Sequence, residues 1–245
     1  MKNIKLIIEY DGTNYAGWQK QKNAVTIQQT LEEAVLQLTG ETVNLVGSSR
    51  TDAGVHAKGF VANFKTQSSI PGKSFREALN TMLPEDITVL ESEEVPLDFH
   101  SRYSSKSKMY SYTIINRIQP PAIGRNYVYH FKKELNFEEM QKACNYFIGK
   151  HDFSAFKSTG SSVKTSVRTI KKAFINRDNN KIIIYVEADG FLYNMVRIMV
   201  GTLIDVGIGK IRASDIKDII QSKDRSRAGK TVPASGLCLE FVHYN

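Results

Sequence analysis

The apolar positions of the first hundred residues alternate between strand spacing and helix spacing. Within residues 25–40, apolar side chains recur at the spacing of one helix face, at Ile27, Leu31, Ala34 and Leu38. Thr26 and Gln29 form a capping-box pattern before this face, and Gly40 supplies the stop. The elements predicted for this half are strands at 4–10, 43–48, 59–65 and 87–93 and helices within 25–40 and at 73–83.

The second half of the chain repeats this order of elements. Asn136 is placed to cap a helix, and Asp178-Asn179-Asn180 is a turn signal between two strands. The segment FLYNMVRIMVGTLIDVG (191–207) is apolar nearly all round, which predicts a buried helix. The elements predicted here are strands at 107–115, 167–176, 181–188 and 237–244 and helices at 136–149, 191–207 and 214–222.

Both halves therefore follow the order β-α-β-β-α-β, which predicts an α/β protein of the α+β type. The same order occurs in ferredoxin-like units and in sheets that bind RNA. We expect two ferredoxin-like halves, residues 1–105 and 106–245. Within the first half, a strand at 4–10 runs into an Asp11-Gly12 turn, and the strand at 59–65 places Phe60, Ala62 and Phe64 on one face.

Composition adds a basic character to this fold. The formal net charge is +8 and the pI is about 9.3, a balance that fits an acidic partner such as nucleic acid, although it also serves solubility alone. Cys144 and Cys238 are isolated and the five histidines are scattered, so neither a disulfide framework nor a structural metal is expected. The longest apolar run, near 195–206, contains Arg197 and Asp205 and is too short for a membrane span. Met1 leads straight into a strand-like segment, so we expect a cytoplasmic protein with no membrane partner.

The segment GSSRTDAGVHA (47–57) is the most unusual in the chain, because it places Arg50, Asp52 and His56 in one loop between two strands. Loops held by rigid strands often carry catalytic groups. A carboxylate two residues from a guanidinium would stay ionised, as a nucleophile must. The alternative is that the carboxylate merely caps a turn while Arg50 faces water.

Two further positions suggest chemistry. Arg197 lies mid-helix among apolar residues, where an arginine either extends to the surface or pairs with a carboxylate. Tyr110 and Tyr112 lie on the same face of the strand at 107–115, where an aromatic ring can stack on an extruded base or simply fill the core. Three basic segments could contact phosphates, or could simply be solvated surface. Their basic residues are Arg102, Lys106 and Lys108 in the first, Lys164, Arg168, Lys171 and Lys172 in the second, and Arg225, Arg227 and Lys230 in the third.

Taken together, these motifs resemble the tRNA pseudouridine synthase A family along essentially the whole chain. The loop GSSRTDAGVHA is similar to that family's signature G-R-T-D-x-G-V-H-A, with Ser49 where many members carry glycine. The resemblance extends through YDGTNYAGWQKQ (10–21), KMYSY, the helix at 191–207, the AGKTVPASGLCL segment (228–239) and the last strand.

The resemblance implies a function as well as a fold. It makes Asp52 the catalytic nucleophile, Tyr110 the tyrosine that contacts the target uracil and Arg197 the partner of Asp52, while Arg50 would hold displaced neighbours or the extruded nucleotide. The implied substrate is tRNA, at uridines 38 to 40 of the anticodon stem-loop. The implied architecture joins the two halves through a continuous, mainly antiparallel sheet, in a homodimer that needs no cofactor.

Two other functions fit the same pattern. A non-catalytic RNA-binding module or tRNA chaperone could use the same fold and basic surface, although an intact Arg50-Thr51-Asp52 loop argues against it. A base-removing glycosylase would also use a carboxylate and a flipped nucleotide, and it would release free uracil.

Overall fold

In the computed structural model, which describes residues 1–160 and 163–244, the chain forms two units. One unit comprises Met1–Lys106 and the last strand from Cys238 onward, and the other comprises Ser107–Leu237. The strands are β1 Lys2–Tyr10, β2 Val46–Gly47, β3 His56–Thr66, β4 Ile87–Val95, β5 Ser107–Asn116, β6 Tyr129–Phe131, β7 Gly149–Asp152, β8 Val167–Asp178, β9 Lys181–Ala188 and β10 Leu237–His243. The α-helices are α1 Ile27–Thr39, α2 Phe75–Asn80, α3 Phe137–Asn145, α4 Met195–Gly207 and α5 Asp215–Ser222.

In the first unit, β1 lies between β4 and β3 and pairs antiparallel with both. The outer edge of β3 is shared by two short partners. β2 pairs antiparallel with it at Ala62 and Asn63, and β10 pairs parallel with it at His56 and Ala57. The spatial order β4-β1-β3-β2 with antiparallel neighbours is that of a ferredoxin-like unit, in which each helix crosses over one intervening strand.

Both faces of β3 are buried, although its alternation predicted Phe60, Ala62 and Phe64 on one apolar face. Those three residues are in the core, and Asn63 on the opposite face is also only 5% exposed. The Asn63 amide donates to Asn3 Oδ1 (2.9 Å) and its oxygen accepts from Ser101 N–H (2.9 Å). The chain after β4 therefore covers this face, and the buried amides are satisfied by hydrogen bonds rather than by water.

In the second unit, the strand order is β5-β9-β8-β7 with antiparallel pairing throughout, and β6 adds to β5 in parallel. Helix α4 is buried along nearly its whole length, as its apolar sequence predicted. The predicted α/β class with mainly antiparallel sheet is confirmed. Across residues 1–160 and 163–244, the helices are all too short or too polar to cross a membrane.

The predicted helix boundaries are confirmed where a local capping signal exists. The Thr26 side chain accepts from Gln29 N–H, and Asn136 accepts from Glu139 N–H. Gly40 ends α1 in the left-handed conformation at φ 73°. The other half of the predicted capping box differs, because the Gln29 amide donates to Glu33 one turn along the helix.

Several element predictions were wrong where the decisive partner is distant. The strand predicted at 43–48 shrinks to β2, since Leu45 N–H donates to Glu32 Oε1 (3.1 Å) on α1 instead of to a sheet. The helix predicted at 136–149 ends at Asn145, and Gly149 begins β7, a polar strand recognisable only by its pairing with β8. The helix predicted at 73–83 is limited to α2, preceded by one 3-10 turn. Strand β6 was not predicted, because three residues are too few to show alternation.

Candidate active site

The loop that carries Asp52 lies between β2 and β3. Ser48 N–H donates to Val61 O (2.8 Å) at its start, and Val55 N–H donates to Asp52 O (3.2 Å) in the turn before β3. Gly54 occupies this turn at φ 76°, a conformation that favours glycine. Asp52 is partly exposed and Thr51 beside it is buried. The loop thus presents a carboxylate from a hydrogen-bonded backbone.

A second segment, residues 11–18, lies against this loop and fixes its backbone. Trp18 N–H donates to Thr51 O (3.1 Å), and Gly54 N–H donates to Tyr15 O (3.3 Å). At the end of β1, Tyr10 Oη and Thr51 Oγ1 are 2.8 Å apart and share a hydrogen bond. Asp52 therefore has fixed residues on either side of it.

Two glycines allow the 11–18 segment to approach so closely. A Cβ on Gly17 would lie 2.5 Å from Thr51 O and 3.0 Å from the carbonyl carbon of Asp52, and the residue has φ 92°. A Cβ on Gly12 would overlap Val55 O. Both positions therefore require glycine, for space at Gly12 and for space and backbone conformation at Gly17.

Aromatic side chains of the core pack beside the loop and support it. The Trp18 indole stacks on the Phe60 ring of β3, with centroids 4.1 Å apart and planes inclined by 27°. Gly47, at the end of β2, leaves room for that indole, since a Cβ there would lie 2.6 Å from Trp18 Nε1. The loop rests on core residues, which limits its movement.

The other predicted residues of this loop occupy distinct places. Arg50 is exposed, whereas His56 is buried and its Nδ1 lies 3.1 Å from Gly12 N and 3.0 Å from Asp11 Oδ1. The His56 ring therefore ties the start of β3 to the 11–18 segment. Ser49 stands where the family signature that this loop resembles has glycine. Among residues 1–160 and 163–244, the non-glycine residues with positive φ are all elsewhere, so a serine fits at position 49 without backbone strain.

In the second unit, Arg197 is half-buried on the first turn of α4. Its Nε–H donates to Val232 O (2.8 Å) and its Nη1 donates to Asn194 Oδ1 (2.7 Å). These two hydrogen bonds hold the guanidinium against residues of its own unit. Val232 is brought there because Gly229 N–H donates to Thr202 Oγ1 (2.9 Å) on the same helix.

The two tyrosines of β5 have different surroundings although they share a face. Tyr112 is fully buried and donates to Pro233 O (2.7 Å), and its burial raises its pKa. Tyr110 is 5% exposed, and its ring meets Phe191 edge to face with centroids 5.1 Å apart. Tyr112 is a core residue of the second unit, and Tyr110 lies next to the turn that leads into α4.

Comparison with known proteins gives a single answer for the whole chain. The family model for tRNA pseudouridine synthase matches residues 6–104 and 143–245. The tRNA pseudouridine synthase A 2 of Clostridium perfringens is 61% identical over 244 residues, and the alignment covers 100% of each chain. The tRNA pseudouridine synthase A proteins of Clostridium acetobutylicum and Acetivibrio thermocellus are 58% and 59% identical over the same full lengths. The chain belongs to the tRNA pseudouridine synthase family.

The basic segments of this family member divide into exposed and internal residues. Arg102, Lys106, Lys164, Arg227 and Lys230 are exposed. By contrast, Lys108 is buried, whereas Lys172 is exposed and pairs with Glu187 (3.3 Å). Arg225 donates to Ala228 O (3.3 Å) and Gly229 O (3.0 Å), and burial lowers its pKa. Lys108 and Arg225 are thus engaged within the protein, and phosphate contacts by the three segments stay a prediction.

The first unit offers the carboxylate of Asp52 and the guanidinium of Arg50, and the second offers the guanidinium of Arg197 and the ring of Tyr110. Within residues 1–160 and 163–244, no group of three or more His, Cys, Asp or Glu side chains is arranged to hold a metal ion. Sequence reasoning did not single out the residues that hold these groups, chiefly Gly17 and Tyr10 in the first unit and Asn194 in the second. Only Asn194 had a usable signal, since it precedes Arg197 by three residues and so lies one helical turn away.

Proposed function

We propose that this chain isomerises uridines of tRNA to pseudouridines, with Asp52 as the nucleophile. The observation that carries the proposal is the placement of Asp52, a partly exposed carboxylate that directly follows Thr51, which Trp18 and Tyr10 fix by hydrogen bonds. A nucleophile needs this combination, because it must be accessible and must also be held in one place. Full-length similarity to proteins named tRNA pseudouridine synthase A supports the substrate and the reaction.

The reaction needs no redox partner, because it is an isomerisation. The N1–C1′ glycosidic bond breaks, a C5–C1′ bond forms, the proton on C5 leaves and N1 gains a proton. The target uridine must first leave its stack so that the glycosidic bond becomes accessible. Covalent attack by the Asp52 carboxylate then divides one difficult step into easier ones, and the detached uracil turns before it rejoins the ribose.

We propose that Tyr110, Arg197 and Arg50 bind the substrate in this reaction. The Tyr110 ring supplies an aromatic surface for uracil, as aromatic residues do for extruded bases. Exposed Arg50 can contact the displaced neighbours or the phosphates of the extruded nucleotide. Pairing between Arg197 and Asp52 stays a prediction. The chemistry of arginine supports this prediction, because the N–H donors of a planar guanidinium can hold a carboxylate in one orientation.

We further propose the finer features that the family resemblance implies. The target uridines are positions 38 to 40 of the anticodon stem-loop, the chain acts as a homodimer without a cofactor, and it works in the cytoplasm. The formal charge of +8 and the exposed basic residues Arg102, Arg227 and Lys230 support a polyanionic substrate.

One incubation separates the proposal from its rivals. Purified protein is mixed with unmodified tRNA transcript, pseudouridine is mapped chemically, and free uracil is measured in the same sample. We expect pseudouridine at positions 38 to 40 and no free uracil. Free uracil would instead indicate a glycosylase, and tRNA binding with neither product would indicate an RNA-binding module.

A further inference from the structure

The residue just before α4 has an unusual backbone conformation. Asn194 adopts φ 60° and ψ 10°, in the left-handed region, whereas Asn136 at the start of α3 has φ −71°. A left-handed residue costs free energy for every residue type except glycine, although asparagine tolerates it better than most. Such strain persists only where the surroundings compensate for it.

The Asn194 side chain does not perform the usual task of an asparagine at this position. At a helix start, the asparagine oxygen normally accepts from a backbone N–H in the first turn, as Asn136 does from Glu139. Asn194 makes no such capping bond. Its Oδ1 accepts from Arg197 Nη1 (2.7 Å), and its Nδ2 donates to Ser158 Oγ (3.0 Å).

The same turn is fixed from two other directions. Ser158 N–H donates to Tyr193 O (3.1 Å), so Ser158 holds both the backbone of the turn and the Asn194 amide. At the other end of the turn, Phe191 packs edge to face on Tyr110. The turn 191–194 therefore contacts both Tyr110 and Arg197, the two residues of this unit that we propose bind substrate.

We propose that Asn194 is a positioning residue that fixes the plane of the Arg197 guanidinium; this inference rests on the function proposed above. A guanidinium is planar and has five N–H donors. Bonds from Nε to Val232 O and from Nη1 to Asn194 Oδ1 restrain that plane from two sides, so the other donors have a set direction. A glycine at position 194 would relieve the backbone strain but would supply no acceptor, which accounts for an asparagine here.

The test compares Asn194→Gly with Asn179→Gly. Asn179 is a second left-handed asparagine, at φ 51°, in the exposed turn between β8 and β9. Both substitutions relax the backbone, and only Asn194→Gly removes a bond to Arg197. We expect Asn194→Gly to lower kcat for pseudouridine formation about tenfold, with KM changed by less than about twofold and the melting temperature unchanged or raised. Asn179→Gly should match the wild type in all three.

A double-mutant cycle separates positioning from a general structural effect. In an Arg197→Lys background, Asn194→Gly should lower kcat by less than about twofold, because the guanidinium that Asn194 orients is already absent. An equal loss in both backgrounds, or wild-type turnover in Asn194→Gly itself, would overturn the proposal.

A readout that needs no activity keeps this inference distinct from the function. Rotation of the Arg197 guanidinium about its Nε–Cζ bond is followed by NMR of protein labelled at arginine nitrogen, with Arg197→Lys to assign the signal. Rotation should be slow in the wild type and in Asn179→Gly, and fast in Asn194→Gly. Equal rotation rates would contradict positioning by Asn194, whereas a wild type that forms no pseudouridine would contradict only the proposed function.

Discussion

The two candidate groups of this protein, Asp52 in the first unit and Arg197 in the second, are held by different means. The loop around Asp52 is fixed mainly by backbone groups, since Thr51 O and Gly54 N–H bond to the backbone of the 11–18 segment, with one side-chain bond from Tyr10 to Thr51. Arg197 is fixed through its own side chain, which bonds to Val232 O and to the Asn194 amide. Backbone bonds are available to any sequence, so the first arrangement depends on the glycines that permit close approach. The second depends on single side chains.

This difference predicts how substitutions in each region affect stability and activity. Substitutions that add a Cβ should disturb the Asp52 loop and reduce stability and activity together. Substitutions around Arg197 should reduce activity more than they reduce stability, because each removes only one or two hydrogen bonds.

The largest effect should come from Asp52→Asn. The asparagine is nearly isosteric, so the loop and the fold should remain, but an amide is a poor nucleophile. We expect turnover below about one-thousandth of the wild type. Affinity for tRNA should be largely kept, because phosphate contacts supply most of it. Pseudouridine formation and tRNA binding are measured on the same preparation, and substantial product from the pure variant would exclude Asp52 as the nucleophile.

Arg197 should give the next largest effect, and its substitutions distinguish charge from geometry. Arg197→Lys keeps the charge but loses the planar fork, so we expect kcat to fall by about 10- to 100-fold. Arg197→Met loses both and should be worse. Single-turnover rates measure the loss, and circular dichroism checks that α4 is intact. If the lysine variant is as active as the wild type, orientation of the guanidinium is irrelevant and only its charge matters.

Gly17→Ala tests the backbone-held region, with Gly40→Ala as its matched control. Both glycines are left-handed, at φ 92° and φ 73°, but a Cβ at position 17 meets Thr51 O and one at position 40 meets no atom within 4 Å. We expect Gly40→Ala to lower the free energy of unfolding by about 1 kcal/mol and Gly17→Ala by about 2–4 kcal/mol. Only Gly17→Ala should also lower kcat.

Urea unfolding gives both free energies, and the same samples are assayed for pseudouridine formation. Equal destabilisation by the two substitutions would mean that the close approach of Gly17 to the Asp52 loop contributes nothing.

The sequence predicted those features whose causes are local. The strand β1, the caps Thr26 and Asn136 and the buried helix α4 follow from periodicity and from residues within one turn. The loop 47–57 stood out as a candidate site because of its charged residues between two strands.

The features that sequence reasoning missed depend on partners far along the chain. Strand β7 is defined by β8, and the 43–45 segment by Glu32 on α1. The start of α4 was predicted at 191 but lies at Met195, because Asn194 is left-handed and cannot continue a right-handed helix. Its side chain takes that conformation together with Arg197 and Ser158, a tertiary arrangement that no periodicity encodes.

The smallest effect should come from the third basic segment, KDRSRAGK (223–230), where Arg225 faces its own segment and Arg227 and Lys230 are exposed. Arg227 and Lys230 are exposed, whereas Arg225 donates to Ala228 O and Gly229 O and so shapes the segment itself. Neutralising both Arg227 and Lys230 should make the slope of log affinity against log salt less negative by about one to two, since each phosphate contact releases about one counterion. Arg225→Ala should leave the slope within about half a unit and instead lower stability by about 1–3 kcal/mol, because the part-buried carbonyls of Ala228 and Gly229 lose their donor. Binding to tRNA is measured across a salt series for the wild type, the Arg227/Lys230 variant and Arg225→Ala. An unchanged slope in the Arg227/Lys230 variant would show that these exposed cations do not touch RNA, and a flattened slope in Arg225→Ala alone would show that Arg225 does.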